Sequence, residues 1–322
     1  MWKSTALVSF LVLLLAPKSA MAADEVTYRL KWLINMSTVG DVLAQSQGFF
    51  KSEQLAVTLK PGGPERDAIR ELELGYAHFG VASADQVIKA VAKGAPVVVI
   101  AQLFQINPLQ WIYFEDNFTL NGASDLIGKR IGITFGKNDE YIMKALLNQS
   151  GIALDQVRLF SVRLDYTPFF HRQVDLWPVY ANTQGIEIGN SLEKAGERIG
   201  FLHPVRFGVN FVANSVVTSM KRLADDPELV RRFSSALLKG WRAACDPGFR
   251  DKAIAAVQRY DRDTDRDTLK VQLQETQRLV SPQGLKHIGD IDIAAWRQTE
   301  QIMLTYGQIN RPVGIEKYLI VP

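Results

Sequence analysis

Glu73-Leu74-Gly75-Tyr76-Ala77-His78-Phe79-Gly80-Val81-Ala82-Ser83, running on through residues 84–93 into Gly94-Ala95-Pro96-Val97, carries the alternation that sets the fold class. Residues 66–74 read as a helix stopped by Gly75, and residues 78–81 as a short strand. Ser83 is placed to cap a helix over 84–93, which Gly94 ends. Residues 97–102 are then an unbroken apolar run, of the kind buried on both faces of a parallel sheet. Upstream, Val26-Thr27-Tyr28-Arg29-Leu30-Lys31-Trp32-Leu33 alternates with period 2, which suits a strand. A helix over 39–47 closes at Gly48, and a second strand over 56–60 ends in the breaker Pro61-Gly62-Gly63-Pro64. This βαβα order predicts an α/β domain with right-handed crossovers.

Downstream the same grammar starts again near Asp125-Leu126-Ile127-Gly128-Lys129-Arg130. Strands are predicted over 131–134, 157–161, 174–180 (bending at Pro178) and 198–202, with helices over 139–149 and 182–195. The middle of the chain thus repeats its beginning. From about residue 208 the character changes: one strand over 215–218 is followed by long helical patterns over 226–244, 250–260, 265–280 and 293–306. The first of these starts at Asp225-Asp226-Pro227-Glu228, with proline in the first turn and acids at the positive end of the helix dipole.

The chain opens on Met1-Trp2-Lys3, an apolar run over 6–16, and Ala20-Met21-Ala22 before Asp24-Glu25. That is the pattern of a secretory signal peptide over residues 1–22, too short to span a bilayer of about 30 Å. No cysteine near the cleavage site offers a lipid anchor. The expected product is a soluble protein of the periplasm. Removing 1–22 leaves 300 residues, enough for two domains, and takes away Lys3 and Lys18, so the formal charge falls from +3 to +1. That balance gives no field for nucleic acid or an anionic membrane. A single cysteine, Cys245, cannot form an intramolecular disulfide and reads as a small buried hydrophobe. His78, His171, His203 and His287 have no metal-ligand spacing, so no metal site is expected.

A family resemblance rests on a longer set of landmarks. These are Trp32-Leu33-Ile34-Asn35, then Gln47-Gly48-Phe49-Phe50-Lys51-Ser52-Glu53-Gln54-Leu55, the Gly-Gly loop, the 73–83 stretch, Ala92-Lys93-Gly94-Ala95-Pro96-Val97 and Gln105. Residues 125–133 and Asp226-Pro227-Glu228-Leu229-Val230 continue them. Together they resemble the periplasmic solute-binding proteins of ABC importers, in the branch related to thiamine-pyrimidine biosynthesis proteins and adjoining the sulfonate, taurine and nitrate binders. The resemblance implies an α/β, two-lobed periplasmic-binding-protein fold of type II. Lobe 1 would comprise 23–114 plus 208–322, and lobe 2 residues 115–207. One small-molecule ligand would sit in the interlobe cleft, and the closed form would meet an ABC permease in the inner membrane. It implies a monomer with no catalytic residues and no cofactor.

Ligands of open α/β sheets bind beyond the carboxyl ends of strands. There the sequence offers Trp32 and Asn35, Ser83, Gln105 and Asn107, Asn138 and Asp139, Trp177 and Tyr180, and Asn210 on the return crossing. Trp32 with Trp177 or Tyr180 could sandwich a planar ring, and the amides could read a heterocycle edge. Each has a plainer alternative as core, turn or helix cap; Ser83 favours the cap. Asp139 and Glu140 at a helix start would repel an anion if they faced the cleft, which favours a nitrogen heterocycle such as a thiamine-precursor pyrimidine over a sulfonate, taurine or nitrate anion. The segment Met36-Ser37-Thr38-Val39-Gly40 lacks the His-Ala-Gly-like run associated with pyrimidine binders. A thiamine-pyrimidine biosynthetic enzyme is the remaining alternative. Such relatives are cytosolic and carry a cysteine-rich stretch, whereas here a leader is present and Cys245 stands alone.

Overall fold

The computed structural model describes residues 22–63 and 65–320, so the predicted leader lies outside the described residues except for Ala22. The described strands are β1 (Asp24–Arg29), β2 (Leu55–Lys60), β3 (Phe79–Ala82), β4 (Val97–Gln102), β5 (Leu109–Phe114), β6 (Arg130–Ile133), β7 (Arg158–Ser161), β8 (Leu176–Tyr180), β9 (Ile199–Leu202) and β10 (Ser215–Ser219). They form two five-stranded sheets, ordered β2-β1-β3-β10-β4 and β7-β6-β8-β5-β9. In both, the first three strands are parallel and the fourth is antiparallel to its neighbours. The repeat read from the sequence is therefore real, down to strand order.

Two strands differ from the sequence reading. β4 is buried along its whole length, as its apolar run requires, but its ladder is antiparallel, to β10. Its outer edge is closed by the C-terminal segment: Ile320 N donates to Val99 O at 2.8 Å. Farther along, Gln102 N donates to Gly289 O at 3.1 Å, so the edge is covered rather than left as a template for another chain. The second difference is β5. Its sequence, Leu-Gln-Trp-Ile-Tyr-Phe, has the aromatic and β-branched content of a strand, yet the sequence reading gave it no strand and put it in lobe 1. It pairs instead with β8 and β9 in the second sheet.

The reason is a reciprocal exchange at the middle of the molecule. The chain leaves β4, crosses at 103–108 and enters the second sheet antiparallel as β5; it returns through 203–214 and enters the first sheet antiparallel as β10. The crossings are bonded to one another. Leu103 N and Phe104 N both donate to Asn214 O, at 2.9 and 3.2 Å, and Asn107 Nδ2 donates to Phe211 O at 2.8 Å.

Helices cover both sheets. In the first, helix Val39–Ser46 lies on helix Pro227–Ala244 at a small-residue contact. A Cβ on Gly240 would fall 2.3 Å from Gly40 O and 2.7 Å from Ala44 Cβ, and one on Gly40 would strike the Trp241 ring at 2.1 Å. The two backbones approach this closely only because both positions are glycine. Gly240→Ala therefore sets two effects against each other. Helix propensity favours alanine by up to about 1 kcal/mol, while overpacking costs about 1–3 kcal/mol. The obstacle is a backbone carbonyl that cannot swing aside, so overpacking wins. A urea melt should show Gly240→Ala destabilised, and a variant at least as stable as the parent would show that this helix pair is not tightly docked.

Candidate functional site

A cleft open to solvent lies between the sheets at the carboxyl ends of their parallel strands. The first sheet contributes Lys31 and Trp32 just beyond β1 and Val81 and Ala82 at the end of β3. The second contributes Thr134, Lys137, Asn138 and Asp139 beyond β6, Arg163 and Tyr166 beyond β7, and Trp177 to Tyr180 along β8. Trp32 is fixed through its backbone. Gly62 N donates to Trp32 O at 2.9 Å, and this approach needs glycine, because a Cβ at residue 62 would lie 2.3 Å from Leu30 O and Lys31 O.

Of the residues singled out in the sequence, the cleft brings together Trp32, Asn35, Asn138, Asp139, Trp177 and Tyr180. Trp32 is half-buried on the cleft wall. Asn35 lines the wall but is also committed locally, its Oδ1 accepting from Ser37 N at 2.9 Å. Trp177 is only 2 % exposed and packs at a tilt against Tyr166 and Phe169, with ring centroids 5.5 and 6.2 Å away. It is chiefly a core ring with one edge on the cleft. Tyr180 spans the gap: Lys31 Nζ donates to its Oη at 2.9 Å, and Asn214 Oδ1 lies 3.4 Å from that oxygen.

The other four do not line the cleft. Ser83 is fully buried in a capping box with Gln86, its alternative reading, and it is Gln86 that reaches the wall. Gln105 Nε2 donates to Gln102 O and Asp290 O at 3.1 and 3.0 Å. Asn107 is the tie between the crossings. Asn210 is solvent-exposed.

The acids at the helix start also differ from expectation. Asp139 Oδ2 accepts from Thr134 N at 2.6 Å, and Glu140 accepts from Gly136 N at 2.6 Å and pairs with Lys144 Nζ. Both carboxylates accept hydrogen bonds from the preceding loop, Asp139 while still lining the cleft, so part of their hydrogen-bonding capacity is used within the protein. Sequence reasoning missed Lys31, Arg66, Lys137, Arg163, Tyr166 and Asn214, all on the wall. Lys31 had a signal, since it adjoins Trp32 at a strand end. Arg66, Arg163 and Tyr166 sit in irregular loops, where no periodicity reports direction.

The lobes also touch deeper in. Asn182, fully buried, donates from Nδ2 to Ser37 Oγ at 3.1 Å and to Thr276 Oγ1 at 2.9 Å. At the mouth, Lys137 Nζ donates to Arg66 O at 2.7 Å, and Arg163 pairs with Glu65 at 2.7 Å. Among the described residues, no cluster of three or more metal-ligating side chains occurs, and no helix is long and apolar enough to cross a membrane.

A two-lobed α/β framework with its cleft at the strand ends is the periplasmic-binding-protein fold. The aliphatic sulphonate binding protein SsuA from Escherichia coli superimposes with a TM-score of 0.70 at 14% identity, covering 92% of this chain and 97% of that one. The chain belongs to the NMT1/THI5 like family, whose model matches residues 35–248. It is 26% identical over 321 residues to the riboflavin-binding protein RibY of Chloroflexus aurantiacus, spanning 94% of this chain and 86% of that protein. It is 25% identical over 223 residues to the formylaminopyrimidine-binding protein of Halalkalibacterium halodurans, spanning 68% and 66%. A 4-amino-5-hydroxymethyl-2-methylpyrimidine phosphate synthase of Legionella pneumophila is 26% identical over 224 residues, spanning 67% and 68%. The family resemblance read from the sequence is borne out. These relatives include both proteins named as binding proteins and a protein named as a synthase.

Beneath the cleft, Asp41 accepts from Tyr28 Oη at 2.9 Å and from Trp241 Nε1 at 3.4 Å. Burial pushes its carboxyl up to about 7 from an ordinary value of 3.8, against those hydrogen bonds, which pull it down. A raised carboxyl favours the folded state only while it stays protonated. Its stabilisation is complete below about pH 4 and is lost as pH rises to about 7, because there the folded chain holds a proton that the unfolded one does not. Asp41→Asn keeps the acceptor and removes the titration. Urea midpoints at pH 5 and pH 7.5 should therefore lie closer together in Asp41→Asn than in the parent; an unchanged gap would remove Asp41 from the pH dependence.

Proposed function

We propose that this protein is the extracytoplasmic solute-binding component of an ABC importer, holding a small planar nitrogen heterocycle between its lobes without converting it. The observation that carries the reading is Trp32, a half-buried aromatic face set at the strand end by Gly62, in a cleft bridged by side chains from both lobes. The division between lobes is proposed at the two bonded crossings, so that β5 moves with lobe 2 and β10 with lobe 1. Ligand then acts by preferring the closed arrangement. The names of RibY and of the formylaminopyrimidine-binding protein support a heterocycle as cargo. The predicted leader supports export to the periplasm, and the protein is proposed to act as a monomer facing an inner-membrane permease.

Native mass spectrometry of the purified protein, followed by calorimetry with flavins and pyrimidines, tests the reading. Ligand at about 100 times its dissociation constant should stabilise the fold by about 2.7 kcal/mol and be recovered unchanged. Recovery of a converted product would place the protein with the synthases instead.

The two tryptophans should separate. Trp32→Ala should weaken ligand binding at least tenfold while the melt stays near that of the parent, since the ring contributes stacking and covers little core. Trp177→Ala should cost about 3–5 kcal/mol of stability, as a buried aromatic truncation does. Binding unaffected by Trp32→Ala would show that this ring is not the stacking wall.

A further inference from the structure

The side-chain amides of the cleft wall are used unevenly: in four of them the protein itself takes the oxygen. Asn35 Oδ1 accepts from Ser37 N at 2.9 Å. Gln86 Oε1 accepts from Ser83 N and Ser83 Oγ at 3.3 and 3.0 Å. Gln184 Oε1 accepts from Tyr180 N at 3.4 Å and from Thr183 Oγ1 at 2.7 Å. Asn214 Oδ1 faces Tyr180 Oη at 3.4 Å; Lys31 already donates to that oxygen, so the phenol proton is the one that turns to Asn214. A backbone N–H can only donate, so for Asn35, Gln86 and Gln184 the partner fixes which end of the amide is the oxygen.

The nitrogen ends are left over. Among the described residues, Asn35 Nδ2, Gln86 Nε2, Gln184 Nε2 and Asn214 Nδ2 donate to no protein acceptor. Nor are they among the fully buried polar atoms that lack a partner, as Asn138 Nδ2 is, so each keeps open surface on a residue of the cleft wall. They come from both sides of the cleft. Asn35 and Gln86 follow strands of the first sheet, Gln184 starts the helix after β8, and Asn214 lies on the return crossing. An NH2 group carries two donors and no acceptor. Opposite a ring carbonyl it makes a hydrogen bond; opposite an exocyclic amino group, donor meets donor and both stay unmade. Carboxylates on the same wall, Asp41 and Asp67 among them, accept from an N–H instead. An edge on which carbonyls flank a ring N–H therefore meets both kinds of group.

We infer that Asn35, Gln86, Gln184 and Asn214 select an oxo-substituted heterocycle, a lactam or cyclic imide whose ring carbonyls accept from their NH2 groups, over an amino-substituted ring of the same size. This deepens the binding reading above and rests on it. Trp32 supplies a face that any planar ring can use, whereas the amides read the edge, so the ring sets whether a ligand binds and the edge sets which one.

The test is calorimetry with pairs matched in ring and differing in edge: uracil and cytosine, hypoxanthine and adenine, lumazine and its diamino analogue. In the pair that binds, the oxo member should be at least tenfold tighter. Asn35→Asp, Gln86→Glu and Gln184→Glu keep an oxygen for the backbone N–H and set an acceptor where the NH2 stood, so each should keep a melt near that of the parent. Each should also move the ratio at least tenfold toward the amino member. An amino member bound as tightly as its oxo partner by the parent protein overturns the inference, with no variant needed. A ratio that none of the three substitutions moves overturns it too. Both outcomes leave the ring-binding reading in place. Binding of no probe ring, oxo or amino, overturns that reading and this inference with it.

Discussion

The rest of the structure depends on a pair of carbonyls at the middle of the molecule. Asn214 O receives the N–H groups of Leu103 and Phe104, and Phe211 O receives the Asn107 amide. These bonds lay the two crossings side by side, and each crossing delivers an antiparallel strand into the opposite sheet. Without that exchange β5 and β10 would have no partners, and each sheet would split between β3 and β4 or between β8 and β9. The same geometry turns the carboxyl ends of the parallel strands in both sheets toward one space, which is why the cleft lies where it does. Asn214 belongs to both structures: its carbonyl holds the crossing, while its side chain reaches Tyr180 and Lys31's neighbourhood on the cleft wall.

The contacts that hold the lobes together differ in kind, and their magnitudes suggest how closure would work. At the mouth, the Arg163–Glu65 pair is exposed by 68% and 72%, so it contributes about 0–1 kcal/mol. Lys137 to Arg66 O and Lys31 to Tyr180 are single hydrogen bonds that water can replace. A ligand with several contacts to both walls can outweigh these easily. On one flank, helices Ala84–Ala92, Asn138–Gln149 and Ile293–Thr305 share a continuous apolar core. Separating them would expose apolar surface at about 25 cal/mol per Å². Motion there is cheaper as sliding than as separation, whereas the opposite rim can open by breaking polar contacts alone.

Much of the fold was legible because periodicity and punctuation agree along this chain. Gly48, Gly75 and Gly94 all adopt positive φ after helices, where an L side chain is strained, so the glycines seen in the sequence mark true stops. Asp226 and Pro227 open helix Pro227–Ala244 as their order suggests. What escaped was pairing partner. A fully buried run such as β4 has no face to show whether its neighbours run with it or against it, and β5 is buried on both faces too. Only long-range contacts decide those ladders, and a single sequence does not display them.

The site was legible to a shallower depth, and Asp139 shows why. Position was readable: a residue just after a strand and at a helix start does reach the cleft. Direction was not, because a carboxylate there has two satisfactory uses, facing a ligand or folding back onto the loop N–H groups that precede it. Those loop groups are present in every such junction and lie within reach of short acidic side chains, so the inward use needs no partner from outside. Thr134 N and Gly136 N take both acids in this way. Asn138, one residue earlier, keeps an amide proton that the loop cannot use. At such a junction, acids near the helix start therefore report first on loop closure, and the polarity offered to a ligand is set by whichever donor or acceptor the loop leaves over. In this loop that remainder is a single amide donor, which the order of residues along the chain did not display.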